Sequence, residues 1–141
     1  MPTDGLPHRL YSSRGVRALD ALAIGQYGLP GLTLMRRAAT ACVDELLRRW
    51  PACSSVAVFC GGGNNGGDGY IIAGMLAEMG KTVTVHVVGD VKKLPPTAAS
   101  AHQYCLSTRA KVLPFAAGVS AASIDVVVDA LLGSGLQGSS P

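Results

Sequence analysis

The stretch Ser55-Val56-Ala57-Val58-Phe59-Cys60-Gly61-Gly62-Gly63-Asn64-Asn65-Gly66-Gly67-Asp68-Gly69 decides the fold. Its first six residues are apolar and rich in β-formers, with Pro51 behind them and glycines ahead. That is the pattern of a short strand buried on both faces. The glycines then turn the chain into a helix expected from about Asp68 to Met79, apolar on most sides through Ile71, Ile72, Met75 and Leu76, with Gly80 at its C′ position. Gly61-x-Gly63-x-x-Gly66 matches the dinucleotide fingerprint, and it stands where the fingerprint needs to stand, between a strand and a helix. Glycines let backbone N–H groups approach a ligand, and the helix N-terminus behind them favours negative charge.

Upstream, Val16, Leu19 and Ala23 recur at helical spacing between about Ser13 and Ile24, and Gly25 can end that helix. A Gly/Pro turn follows at Gly28-Leu29-Pro30-Gly31. Met35, Ala39, Cys42, Leu46 and Trp50 then share one helical face and Arg37, Thr40, Asp44 and Arg48 another, until Pro51 stops the pattern. Downstream, Thr82 to Val88 alternates as a strand does. Pro95-Pro96 can open a helix whose inner face is Ala98, Ala101 and Cys105. Val112-Leu113 reads as a short strand weakened by Pro114, and Ile124 to Leu132 contains a stronger one.

Alternating strands and helices imply an α/β fold with right-handed crossovers: a Rossmann-like, doubly wound, mostly parallel sheet with helices on both faces. In the usual strand order 3-2-1-4 the first and fourth strands are neighbours, and ligands bind in the crevice between their carboxyl ends. Residues 61–68 and the loop after Asp129, with Gly133-Ser134-Gly135, should meet there. A sheet that stops at the fourth strand keeps an apolar edge, so the domain is expected to be truncated at that point.

At 141 residues, with 48% hydrophobic and 15% charged residues, the chain suits one globular domain. The net charge is +3, but Arg36-Arg37 and Arg48-Arg49 are isolated pairs that read as solvated helix faces, and aromatics are few. Nucleic acid is therefore not the expected partner. No apolar run approaches membrane-spanning length and no secretory signal is evident, so a cytoplasmic, non-membrane protein is expected. Cys42, Cys53, Cys60 and Cys105 form no C-x-x-C pair and read as buried free thiols, with a nucleophilic role for Cys60 the weaker alternative.

The polar residues of the two loops carry the chemistry. Asp68 is placed at the helix start, either as its N-cap or as an acceptor for sugar hydroxyls. Asn64 and Asn65 add amide donors and carbonyl acceptors, the latter suited to a hard cation. Asp129 interrupts an apolar strand at its carboxyl end, where a charge is costly unless paired or metal-bound; the alternative is a cap on the following loop. Asp90 reads as a turn residue, Asp125 as structural and His86 as a core or face residue.

Taken together, Val58 to Gly69 and Val127-Val128-Asp129-Ala130-Leu131-Leu132-Gly133-Ser134-Gly135-Leu136 resemble the two motifs of the NAD(P)H-hydrate epimerase family, the YjeF N-terminal domain. Val16-Arg17-Ala18-Leu19-Asp20 and Gly31-Leu32-Thr33-Leu34-Met35 are similar to it too, so the resemblance spans residues 1–141, incomplete at the C-terminus. It implies an isomerase that interconverts the R and S epimers of hydrated NADH and NADPH, with a potassium ion in the site. By position, Asn64, Asn65, Gly66, Gly67 and Asp68 would bind the hydrated nucleotide. Gly133, Ser134, Gly135, Leu136, Gln137, Gly138 and Ser139 would line the rest, and Asn65 and Asp129 would lie at the potassium ion. Asp129 is the candidate catalytic residue. A homodimer and a fused or separate ADP- or ATP-dependent dehydratase are further implications. The family usually has an acid and an Asn, then Ala-Gly, where this chain has Arg36, Arg37, Ala38 and Ala39, and its later Asp-x-Pro-Ser-Gly segment falls beyond Pro141. The competing readings are a non-catalytic nucleotide-binding or scaffold module of the same fold and an NAD-linked oxidoreductase fragment, for which no catalytic Lys or Tyr stands out.

Overall fold

The computed structural model describes residues 30–133, together with Ala18, Leu19 and Leu22, which are helical. The rest of the expected helix between Ser13 and Ile24 lies outside the described residues. Four strands form one parallel sheet in the order β3-β2-β1-β4: β1 (Ser55–Cys60), β2 (Thr82–Val87), β3 (Lys111–Pro114) and β4 (Val126–Ala130). This is the expected order, and β4 is shorter than the apolar run that announced it.

Three helices, α1 (Gly31–Arg49), α2 (Asn64–Glu78) and α3 (Pro96–Leu106), share one apolar cluster with Val56, Val58, Cys60, Val83, Val85 and Val126. Because strand side chains alternate, those residues mark one face of the sheet, and Ala57, Phe59, Thr84, His86, Val127 and Asp129 belong to the other. Helices are expected on both faces; α1, α2 and α3 all pack on the first.

Each helix follows from its pattern, with two corrections. On α1 the buried residues are Met35, Ala39, Val43 and Leu46, while Cys42 is exposed and Trp50 caps the helix at 49% exposure. Spacings of four, four and three hold closer to one stripe than the path through Cys42, so Val43 takes the inner position. Arg48 and Arg49 both reach Glu45, whose carboxyl these hydrogen bonds hold down to about 2, on a solvated face as read. Arg36, where the resemblance leads one to expect an acid, lays its guanidinium 4.4 Å over the Tyr104 ring, and the Tyr104 hydroxyl donates to Glu78 at 2.9 Å. That substitution thus ties α1 to α3.

The second correction concerns α2, which starts at Asn64 rather than near Asp68. At its far end Lys81 N–H donates to Leu76 O and Gly80 N–H to Ala77 O, the Schellman pattern, with Gly80 at φ 84° as expected. α3 opens on Pro96 and buries Ala98, Ala101 and Cys105, as its spacing indicated.

Tyr70 on α2 is fully buried with its ring edge-on to His102, centroids 4.9 Å apart, yet its hydroxyl has no hydrogen-bond partner among the described residues. A buried donor left unmade costs roughly 1–3 kcal/mol. Tyr70→Phe is therefore expected to stabilise the fold by about 1 kcal/mol, read as a higher urea midpoint at unchanged slope. A lower midpoint would mean that the hydroxyl has a partner that matters.

Asp125 precedes β4 and, as read, works at the far end of the sheet from the crevice. Its carboxylate accepts from Ser54 N–H at 2.8 Å, Ser55 N–H at 3.1 Å and the Ser54 hydroxyl at 3.1 Å, which holds its pKa below the ordinary carboxylate value. A depressed folded pKa contributes stability that is fully present above the unfolded value, about 3.9, and is lost as pH falls through the folded value. The stability gap between the native chain and Asp125→Asn should accordingly be full at neutral pH and close below about pH 4. Denaturant midpoints on either side of that pH check this; a gap independent of pH would contradict it.

Candidate functional site

Two loops meet at the carboxyl end of β1 and β4. Gly61 N–H donates to Ala130 O at 2.9 Å, and the Asn65 side-chain nitrogen donates to Leu132 O at 3.0 Å. A Cβ on Gly61 would run into the Leu131 carbonyl, and one on Gly133 would come 3.0 Å from Asn65 Cβ. The convergence expected from the strand order is thus a set of direct contacts.

The glycines divide by task. Gly66 faces the Gly61 backbone so closely that no Cβ fits, a Cβ on Gly67 would stand 3.0 Å from Ala98 Cα, and one on Gly69 would stand 2.7 Å from Ala130 Cβ and 2.8 Å from Cys60 Sγ. These three let α2 lie against β1, β4 and α3. Gly62 and Gly63 instead have nothing within 4 Å of a would-be Cβ and are exposed. Gly63 is the N-cap of α2 and offers no side-chain cap, so the first-turn N–H groups of Asn64, Asn65 and Gly66 have no acceptor within the helix. They form the anion-favouring end of the crevice.

Asp68 is not an N-cap: it is the fifth residue of α2, half-buried. The glycine run before it reads as loop by propensity, and close packing makes it helix. Asn64 is exposed on the first turn, and Asn65 beside it is half-buried. Asp129 is exposed, and its Oδ1 accepts from Leu131 N–H at 3.0 Å. The carboxylate therefore caps the loop, as its structural alternative held, and remains exposed to solvent. Leu131, Leu132 and Gly133 end the described part of that loop, and Ser134, Gly135, Leu136, Gln137, Gly138 and Ser139 lie outside the described residues.

The secondary candidates sort as read. Asp90 Oδ1 accepts from Lys92 N–H at 2.9 Å and so closes its own turn. Cys60 is fully buried, and desolvation, with Cys105 adding to it, pushes its thiol well above the ordinary value, so it is no nucleophile. Cys53 and Cys105 are buried free thiols as well, and burial pushes the Cys105 thiol up to about 11.

Sequence reasoning missed an aromatic row. His86, 8% exposed, stacks on Phe59 at 4.8 Å between centroids, and Phe115 meets Phe59 edge-on at 6.1 Å. Phe59 is the register partner of both His86 and Asp129, so all three share the second face of the sheet in one row. Only the pairing register reveals this, although the alternation of each strand was visible. A separate hollow of about 490 Å³ lies between α1 and the outer edge of β4, lined by Cys42, Leu46, Ile72, Val126 and Val128 among others. Its lining is mostly apolar, and its two charged side chains, Glu45 and Arg49, pair with each other, so the site is assigned to the crevice.

As for a metal, no three His, Cys, Asp or Glu side chains gather among the described residues. The oxygen donors nearest the junction are the Asn65 amide carbonyl and the backbone carbonyls after β4, and Asp129 at the end of β4 adds an exposed carboxylate. That donor set suits a hard, weakly held cation rather than a transition metal.

Comparison with known proteins follows the same geometry. Residues 31–141 match the family model described as the YjeF-related protein N-terminus. The chain is 42% identical over 129 residues to the bifunctional NAD(P)H-hydrate repair enzyme Nnr of Coxiella burnetii, covering 92% of this chain and 26% of that protein. It is 36% identical over 134 residues to the NAD(P)H-hydrate epimerase of Rhodobacter capsulatus, covering 90% and 63%. It is 37% identical over 139 residues to that of Pirellula staleyi, covering 92% and 60%. The chain thus spans about three fifths of the length of these epimerases. The crystal structure of the yeast protein ynu0 has the same fold, with a TM-score of 0.81 at 22% identity over 94% of this chain and 60% of that one.

Proposed function

The chain belongs to the YjeF N-terminal family, and from that premise we propose that it interconverts the R and S epimers of hydrated NADH and NADPH in nicotinamide nucleotide repair. The observation that carries this reading is the junction of the two loops, where Asn65 reaches Leu132 O and Asp129 turns the chain after β4. One crevice then presents uncapped helix N–H groups for a phosphate, amide groups for polar recognition, and a solvent-facing carboxylate.

In this proposal Asn64, Asn65, Gly66, Gly67 and Asp68 bind the hydrated nucleotide, and Gly133, Ser134, Gly135, Leu136, Gln137, Gly138 and Ser139 supply the remaining contacts. Asn65 and Asp129 are the residues that would hold a potassium ion, which when bound supplies positive charge to orient substrate oxygens. Epimerisation at the hydroxyl-bearing carbon can proceed by loss of that hydroxyl, aided by the ring nitrogen, and its return on the opposite face. We assign the acid–base step to Asp129: in its protonated form it gives its proton to the departing hydroxyl, which leaves as water, and its carboxylate then takes a proton from the water that adds back on the opposite face, general acid–base help of about 10²–10⁴-fold. The buried free thiols fit a reducing, cytoplasmic compartment. No described helix is long and apolar enough to cross a membrane. A dehydratase, fused or separate, would be the companion activity, and a homodimer the assembly to look for.

The test is to incubate purified R epimer with catalytic amounts of the chain in potassium buffer and follow the S epimer by chromatography. Growth of the S epimer well above the spontaneous rate is expected. An unchanged spontaneous rate with retained nucleotide binding would favour the scaffold reading, and hydride transfer to a second substrate would favour the oxidoreductase.

A further inference from the structure

Beside the glycine loop, the loop after β2 carries two lysines that the reaction above does not use. Val88 N–H donates to Cys60 O at 2.8 Å, so this loop leaves the sheet directly alongside Gly61. It is fixed at both ends: Gly89 turns it at φ 100°, and Leu94 packs against the core just before Pro96 opens α3. Between them Val91–Lys93 form a 3-10 turn, held by Asp90 Oδ1 to Lys92 N–H at 2.9 Å and by Asp90 O to Lys93 N–H at 3.0 Å. Lys92 and Lys93 are exposed, and neither makes an ion pair among the described residues, where the only ones join Glu45 to Arg48 and Arg49.

In nucleotide-binding sheets of this order the loop after the second strand faces the adenosine ribose. A carboxylate there binds the 2′-hydroxyl of an unphosphorylated dinucleotide, whereas a cation accommodates a 2′-phosphate. Here the one carboxylate, Asp90, accepts within its own turn, and two ammonium groups with no ion pair among the described residues follow it at once. Lysines serve as point charges for phosphate. We propose that Lys92 and Lys93 form a 2′-phosphate subsite, so that the crevice prefers the phosphorylated dinucleotide, the hydrate of NADPH, over that of NADH. The inference rests on the nucleotide reading of the crevice and adds to it the choice between its two substrates.

Because both lysines are exposed, the preference is modest and sensitive to salt. The probes are 2′-phospho-ADP-ribose and ADP-ribose, titrated calorimetrically into the full chain. The native protein should bind the phosphorylated probe about tenfold more tightly at low ionic strength, and the ratio should shrink at high salt. In Lys92→Glu/Lys93→Glu, and in the milder Lys92→Ala/Lys93→Ala, it should fall to about one, with unchanged circular dichroism showing that the fold persists. Equal affinities in the native protein, a preference that survives both double variants, or failure to bind either probe would overturn the subsite. Epimerisation with no preference between probes would sink this inference and leave the proposed function standing. A lysine-dependent preference without epimerisation would do the reverse.

Discussion

Asp129→Asn should lower kcat for epimerisation by roughly 10²–10³-fold while leaving the fold almost as stable as before. The two halves of that expectation have separate physical grounds. Asp129 is exposed, and the bond it makes is one acceptance from Leu131 N–H at 3.0 Å. An asparagine oxygen accepts that same bond, so the cap persists and the unfolding midpoint should move by no more than about 0.5 kcal/mol. What asparagine cannot do is hold and return a proton, so kcat falls while the turn remains. A loss of less than about twofold would mean that Asp129 only shapes the loop.

Gly66→Ala is expected to cost about 3 kcal/mol or more, seen as a large fall in the thermal midpoint or as failure to accumulate soluble protein. Helix propensity points the other way, since alanine inside a helix is worth about 1 kcal/mol over glycine. The clash outweighs it. A Cβ at this position lands on the carbonyl oxygen, carbonyl carbon and nitrogen of Gly61, backbone atoms that have no rotamer to move to. Gly61 is itself tied to Ala130 O at 2.9 Å, so it cannot retreat. Gly62→Ala is the control: nothing lies within 4 Å of its Cβ and its φ is not positive, so stability should change by no more than about 0.5 kcal/mol. Equal destabilisation by the two changes would contradict this division of the glycines.

Much of this fold is legible in the sequence. β1, the inner face of α3, the glycine stop at Gly80 and the strand order all follow from local patterns that agree with the global fold. The meeting of the two loops followed from that order alone. The start of α2 was not legible, because a run of Asn and Gly has poor helix propensity. It becomes helical only because Gly66, Gly67 and Gly69 allow contacts with Gly61, Ala98 and Ala130 that no local rule can see. Val43 displaced Cys42 from the core for a similar reason, since both are apolar and only packing chooses between them. The row of Asp129, Phe59 and His86 needed the register of three strands, which the alternation within each strand leaves open.

The central claim is that residues 61–68 and the loop after β4 form one nucleotide pocket, and amide chemical shifts of the labelled chain titrated with hydrated NADPH in potassium buffer test it most directly. The account predicts that the amides of Gly62 to Asp68 and of Leu131 to Gly133 shift together along one binding curve. Shifts confined to one loop, or centred on the hollow between α1 and β4, would contradict it.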